Sequence, residues 1–171
     1  MEQVILVDEA DNELGYEEKH ECHKIPVKLH RAFSIFILNH NGQLLITRRA
    51  ETKYHWGGFW SNACCSHPRK DEPIELAARR RLEEELRFSC NLKFLFKFIY
   101  KADFDGVWGE HELDHVFIGH YKGTVSPDAE EVDEFKWVGA EELQKDMKEH
   151  PDKYTPWFKI MLPRVLENLK K

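Results

Sequence analysis

The chain has few of the features that would place it outside the ordinary globular class. Its 171 residues include only 4 cysteines, 7 prolines and 9 glycines. No internal repeat, low-complexity tract or Pro/Ser-rich linker breaks it up, so one domain over residues 1–171 is expected. A hydrophobic content of 42% is enough for a sizeable core. No apolar run approaches bilayer length, which predicts no membrane contact. Met1 to Asp8 carries acidic residues beside a short apolar run and does not read as a secretory signal. Cations are scarce as well. With 25 Lys and Arg against 31 Asp and Glu, the formal net charge is -6, which argues against a nucleic-acid or anionic-membrane binder. Cys64 and Cys65 are adjacent, which suits ordinary disulfides poorly. Reduced thiols in a cytoplasm are expected.

Two short segments are the most informative: Asn62-Ala63-Cys64-Cys65-Ser66-His67-Pro68 and Glu110-His111-Glu112. In extended backbone, residues two apart point the same way, so Cys65 pairs with His67 and Glu110 with Glu112. Two carboxylates on one strand face repel each other unless a cation binds them. With His23, His30 and His67, they make a donor set suited to Mn²⁺, Zn²⁺ or Mg²⁺ at five or six coordination. An all-thiolate structural zinc site fits these donors poorly. Most of the 10 histidines need no metal, because His residues are commonly exposed or hydrogen-bonded in a core. Spacing is what singles these three out.

Around these segments, strands are expected at Val4–Asp8, Arg31–Asn39, Leu44–Arg49, Leu92–Ala102, Leu113–Lys122 and Glu134–Val138. A turn over Asp11–Gly15 follows the first strand, and Asn41-Gly42 signals a hairpin. Helices are expected at Pro73–Leu86, with Asp71 or Glu72 near its N-cap, at Ala140–Lys148 and at Thr155–Leu169. Strands interleaved with a few helices predict an α/β fold, a mixed sheet covered on both faces.

The helix at Pro73–Leu86 carries a further pattern. Glu72, Arg80, Leu82, Glu84 and Glu85 match the Nudix box, G-x5-E-x7-R-E-U-x-E-E-x-G-U, in which U is a bulky aliphatic residue. Three positions depart from it: Ser66 stands at the first Gly, Arg81 at the first helix Glu and Arg87 at the last Gly. In Nudix hydrolases the helix carboxylates gather Mg²⁺. A cation at position 81 is suited to phosphate oxygens instead. Taken alone, the segment could equally be a solvated charged helix with internal ion pairs.

Further motifs occur in a specific order: His23-x6-His30-Arg31-Ala32-Phe33-Ser34, the Cys-Cys-Ser-His segment, the altered Nudix helix, Tyr100 before Glu110-x-Glu112, and Thr155-Pro156-Trp157-Phe158. This order resembles the type I isopentenyl-diphosphate isomerases over nearly the whole chain. The resemblance implies a Nudix-like α/β fold and interconversion of isopentenyl and dimethylallyl diphosphate by moving a double bond through a carbocation. It implies metal binding by His23, His30, His67, Glu110 and Glu112. Cys65 is the implied catalytic thiol, and Glu112, assisted by Tyr100, the opposing acid/base. Glu85 and the Cys65 backbone would hold a second ion, Mg²⁺, on the diphosphate. Lys19, Arg49, Lys53 and Arg81 would bind the diphosphate, and Trp157 would lie over the hydrocarbon. A small diphosphate is the implied partner, and a monomer is expected.

To act as a base near neutrality, a thiol with an ordinary pKa of about 8.5 must have its thiolate favoured by its surroundings. That is expected of Cys65. Trp157 could equally be a core residue, and Trp56, Phe59 and Trp60 could form an apolar wall or simply pack. Two rival readings are a Nudix pyrophosphohydrolase, which has no use for Cys65 opposite Glu112, and a metal-stabilised binding domain, whose metal would be needed for folding.

Overall fold

The computed structural model describes residues 2–170. Strands β1 (Gln3–Val7) and β2 (Glu13–Glu18) form an antiparallel pair. Asp8 closes their turn, its Oδ1 accepting from the amides of Ala10 and Asn12, each at 2.9 Å. The expected turn therefore ends early, and Glu13–Gly15 already belong to β2. Helix α1 (Lys19–His23) follows, capped by Glu18, whose carboxylate accepts from the Glu21 amide at 3.0 Å. Next come β3 (His30–Leu38), β4 (Leu44–Arg49), β5 (Trp60–Asn62) and β6 (Cys64–Ser66). Helix α2 (Ile74–Leu86) leads to β7 (Leu92–Asp103), β8 (Gly109–His120) and β9 (Val132–Val138). Helix α3 (Ala140–Glu149), a 3-10 turn at Pro151–Lys153 and helix α4 (Pro156–Leu169) complete the order.

β3 organises the sheet. It runs parallel to β8 from His30 opposite Glu112 to Leu38 opposite His120, and antiparallel to β6, where Ser34 faces Cys65. The expected hairpin after Asn41-Gly42 turns but hardly pairs. β3 meets β4 only at Leu38 and Leu44, because β5 takes the same edge of β4 from Ile46 onward, while β9 lies along the other edge. β7 and β8 form a long antiparallel pair that sets Tyr100 opposite Glu112.

Strand alternation divides the core into two layers. Phe33, Ile35 and Ile37 of β3 pack with Ala77, Ala78, Leu82 and Leu86 of α2. Phe36 and Leu38, with Val116 and Ile118 of β8, pack with Trp157, Phe158, Met161 and Val165 of α4. Helices therefore cover both faces, as expected. Each large apolar side chain so buried is worth about 1.5–3 kcal/mol before entropy is counted. The even-numbered face changes character along its length. Toward its other end it presents His30 and Ser34 on β3, and Glu110, Glu112 and Asp114 on β8, all buried. The polar site thus opens directly out of the apolar layer beneath α4.

The ends of α2 differ from expectation. Pro73 occupies the N-cap without a side-chain bond. Glu72 instead accepts two bonds from Arg80, at 2.7 and 2.8 Å, and one from the Arg69 amide at 2.9 Å. At the other end Arg87 adopts φ 58°, the left-handed conformation that the glycine of the Nudix pattern provides at little cost.

Candidate active site

α1, the start of β3, the end of β6 and the start of β8 bring the expected metal donors together. His23, His30, His67 and Glu112 can each offer a ligand atom within 4.8 Å of one another, and His23, His55 and Glu110 do the same. Two backbone carbonyls set the imidazole tautomers. His23 Nδ1 donates to Lys19 O at 2.6 Å and His30 Nδ1 to Lys28 O at 2.9 Å, so in each neutral ring the lone pair lies on Nε2. His30 Nε2 and His67 Nε2 are 3.1 Å apart, and His67 Nε2 is 2.9 Å from Glu112 Oε1.

These groups fit a divalent ion. His23 Nε2 lies 3.0 Å from Glu110 Oε2, yet both atoms are buried without a hydrogen-bond partner, so the contact is close but misaligned. In an octahedron with metal–ligand distances of about 2.1 Å, neighbouring donors stand about 3.0 Å apart. The observed spacings agree with that edge length. Burial alone would raise Glu110, but His23 and His55 outweigh it and hold the carboxyl well below its ordinary range. Burial pushes His67 well down, which keeps the ring neutral, the form that ligates.

Cys65 and Cys64 occupy opposite faces of β6. Cys64 packs into the α2 layer, while Cys65 lies against the α4 layer and lines the central cavity with His67, Tyr100 and Glu112. Cys65 Sγ is 3.1 Å from Asn62 Oδ1 and 3.5 Å from Ser34 Oγ, and Ser34 donates to Asp114 Oδ2 at 2.7 Å. The expected thiolate is not found. Burial, with Asp114 nearby, pushes the Cys65 thiol up to about 12, which Ser34, Arg49 and Asn62 only partly offset. The resting residue is a neutral thiol. Across the cavity, Tyr100 donates to Glu112 Oε2 at 2.6 Å. Burial and Glu110 oppose ionisation of Glu112, but His30 and His67 prevail and keep it a carboxylate. Cys64→Ala is expected to cost on the order of 1 kcal/mol through a small void in the α2 layer and to leave turnover standing. Turnover lost as severely as for Cys65→Ala would exchange the roles of the two thiols.

Lys19, Arg49, Lys53 and Arg81, from separate elements, all line the same cavity, as does Trp157. Arg81 reaches Glu85 at 2.5 Å and Glu131 at 3.0 Å, and Lys53 also pairs with Glu131. Arg81 Nε is buried without a partner, a donor suited to an anion's oxygen. Glu85 is buried and lines an adjoining recess with Cys65 and Glu131. Trp157 Nε1 donates to Ser61 Oγ at 3.0 Å, and the Arg49 guanidinium stands 5.4 Å from its ring centroid. The Trp56 ring packs edge-on against Trp157, 5.3 Å between centroids. Phe59 and Trp60 join the same apolar layer.

Lys53 and Arg81 outweigh burial at Glu131 and hold its carboxyl down to about 2. A depressed folded value stabilises the fold above the unfolded value, near 4.5, and that gain fades as the pH falls toward 2. Thermal melts of wild type and Glu131→Gln should therefore differ most above about pH 4.5 and converge on acidification. A difference that widens in acid would contradict this pairing.

Sequence reasoning missed Glu131 and His55. Glu131 precedes β9 with no motif around it. His55 lies in an irregular loop, where its only signal is an aromatic run, Tyr54-His55-Trp56, before Gly57-Gly58. The loop folds tightly on itself: a Cβ on Gly57 would stand 2.7 Å from Glu51 O.

A NUDIX domain model matches residues 28–158. Isopentenyl-diphosphate Delta-isomerase 2 of Aromatoleum aromaticum is 46% identical over 165 residues, covering 96% of this chain and 87% of the relative. The chain belongs to the isopentenyl-diphosphate Delta-isomerase family. The Burkholderia multivorans isomerase is 44% identical, over 96% of this chain and 93% of that one. Among solved structures, DR0079 from Deinococcus radiodurans superposes with a TM-score of 0.79 at 18% identity, covering 95% of this chain and 98% of that one. That likeness bears on the fold alone.

Proposed function

We infer that this chain interconverts isopentenyl and dimethylallyl diphosphate, and we assign the chemistry to the residues lining its central cavity. The carrying observation is that Cys65 on β6 and the Glu112–Tyr100 pair on β8 and β7 line one cavity that Trp157 also borders. Isomerisation of an unactivated alkene adds a proton at the terminal carbon and removes one from the other allylic carbon. A tertiary carbocation lies between these two transfers, so an acid and a base must face the hydrocarbon from two sides. Cys65 and the Glu112–Tyr100 pair supply them, and microscopic reversibility exchanges their roles with direction. The resting protons sit on the Cys65 thiol and the Tyr100 phenol, and Glu112 is free to accept one.

Trp157 offers the cation an indole face worth about 2 kcal/mol when desolvated. The surrounding aromatic wall keeps out water, which would capture the cation. Lys19, Arg49, Lys53 and Arg81 gather the diphosphate, the two arginines as planar forks and the lysines as point charges. His23, His30, His67, Glu110 and Glu112 would hold Mn²⁺, Zn²⁺ or Mg²⁺, and Glu85 with the Cys65 carbonyl would hold Mg²⁺. Those ions supply positive charge that fixes the carboxylates and neutralises the diphosphate. We propose one monomeric domain working in the cytoplasm; no helix among the described residues is long and apolar enough to cross a membrane, and all four cysteines are free.

An acid-lability assay tests this reading, because the allylic product hydrolyses in acid and the homoallylic substrate does not. Formation of acid-labile product without phosphate release is expected. Release of phosphate before acidification, from this substrate or from nucleoside diphosphate derivatives, would favour a Nudix hydrolase.

A further inference from the structure

The loop between β4 and β5 delivers one imidazole more than the expected metal set contains. His55 is only 6% exposed, stacked on Tyr54 at 4.3 Å between centroids and tilted against Trp56 at 5.3 Å. Its Nε2 lies 2.8 Å from Glu110 Oε1. As with His23, the approach is close but lacks hydrogen-bond geometry. Both ring nitrogens of His55 are buried without a partner, as are His23 Nε2 and Glu110 Oε2. Unsatisfied buried polar atoms are costly, and here three of them, His55 Nε2, His23 Nε2 and Glu110 Oε2, meet at one carboxylate.

Two arrangements could satisfy them: a second ion shared by His23, His55 and Glu110, or a sixth donor to the first ion. His23 decides between them. Its Nδ1 is engaged by Lys19 O, leaving a single lone pair, on Nε2, and that atom cannot serve two ions. We propose that His55 is a direct sixth protein ligand, its Nε2 binding beside Glu110 at the centre formed by His23, His30, His67, Glu110 and Glu112. The inference rests on that centre as read under the proposed function. It has two consequences. Six protein donors fill an octahedral shell, so the ion holds Glu112 in place and leaves no open position for substrate. Four imidazoles also favour a nitrogen-accepting transition ion over Mg²⁺ at this position.

The test uses the full chain and compares wild type with His55→Phe, which keeps the ring stacking, and His55→Gln, which keeps a hydrogen-bond donor to Glu110. Mn²⁺ affinity is read by chelator competition, coordination by the visible spectrum of the Co²⁺ form, and fold by far-UV circular dichroism of metal-free protein. Both variants should stay folded, bind Mn²⁺ at least about tenfold more weakly, and show the stronger visible absorption of a lower-coordinate Co²⁺ ion. Wild-type affinity and spectrum in His55→Phe would overturn the proposal. Full restoration by His55→Gln would also overturn it, reducing His55 to a group that orients Glu110. Wild type that binds neither ion would instead sink the metal centre itself, an outcome distinct from failure at His55. If His55→Phe does not fold, His55→Gln gives the same reading alone.

Discussion

Cys65→Ala is expected to lower kcat by about 10³-fold or more, within the range that a positioned acid or base supplies. The variant should fold normally, because Cys65 borders the cavity and the α2 layer is packed by Cys64 on the other face of β6. Cys65→Ser separates proton transfer from shape: a hydroxyl keeps the contacts to Asn62 and Ser34 but is a far poorer proton carrier. Both variants should retain affinity for the diphosphate, since none of the four cationic groups moves. Near-normal turnover in Cys65→Ala, measured as dimethylallyl diphosphate formed, would remove the thiol from the reaction.

Glu112→Gln is expected to be at least as damaging. One carboxylate accepts from Tyr100 at 2.6 Å, lies 2.9 Å from His67 Nε2 and lies 3.4 Å from His30 Nε2. Its amide could neither accept the transferred proton nor balance the charge of an ion among three imidazoles. Loss of turnover by about 10³-fold or more should therefore be accompanied by weaker metal binding. The two measurements separate the roles. Tyr100→Phe removes only the phenol hydroxyl, so it should slow turnover while leaving metal content unchanged. Equal metal content in Glu112→Gln would show that this carboxylate is not a ligand.

The parts of this site carried by long alternating strands were legible in the sequence. Glu110 and Glu112, two apart on β8, do share a face, and the helix with Glu85 and Arg81 lies where periodicity placed it. Elements too short to show a period were not legible. β5 and β6 are three residues each and α1 is five, yet β6 separates Cys64 from Cys65 and α1 carries His23. A turn dipeptide announces a β3–β4 hairpin, whereas the three-residue β5, too short to show a period, takes that edge of β4 beyond Leu44. His55 and Glu131 reach the site from outside regular structure, where spacing has no periodic meaning. The thiolate expected at Cys65 fails for a different reason: the need for a base was inferred from chemistry, while its pKa is set by burial.

The most direct test of the central claim is proton NMR of isopentenyl diphosphate with purified protein and Mg²⁺ in D₂O, with and without chelator. Conversion to dimethylallyl diphosphate, with deuterium entering the product and the reaction stopped by chelator, is predicted. Unchanged substrate in a folded, metal-loaded sample would contradict it.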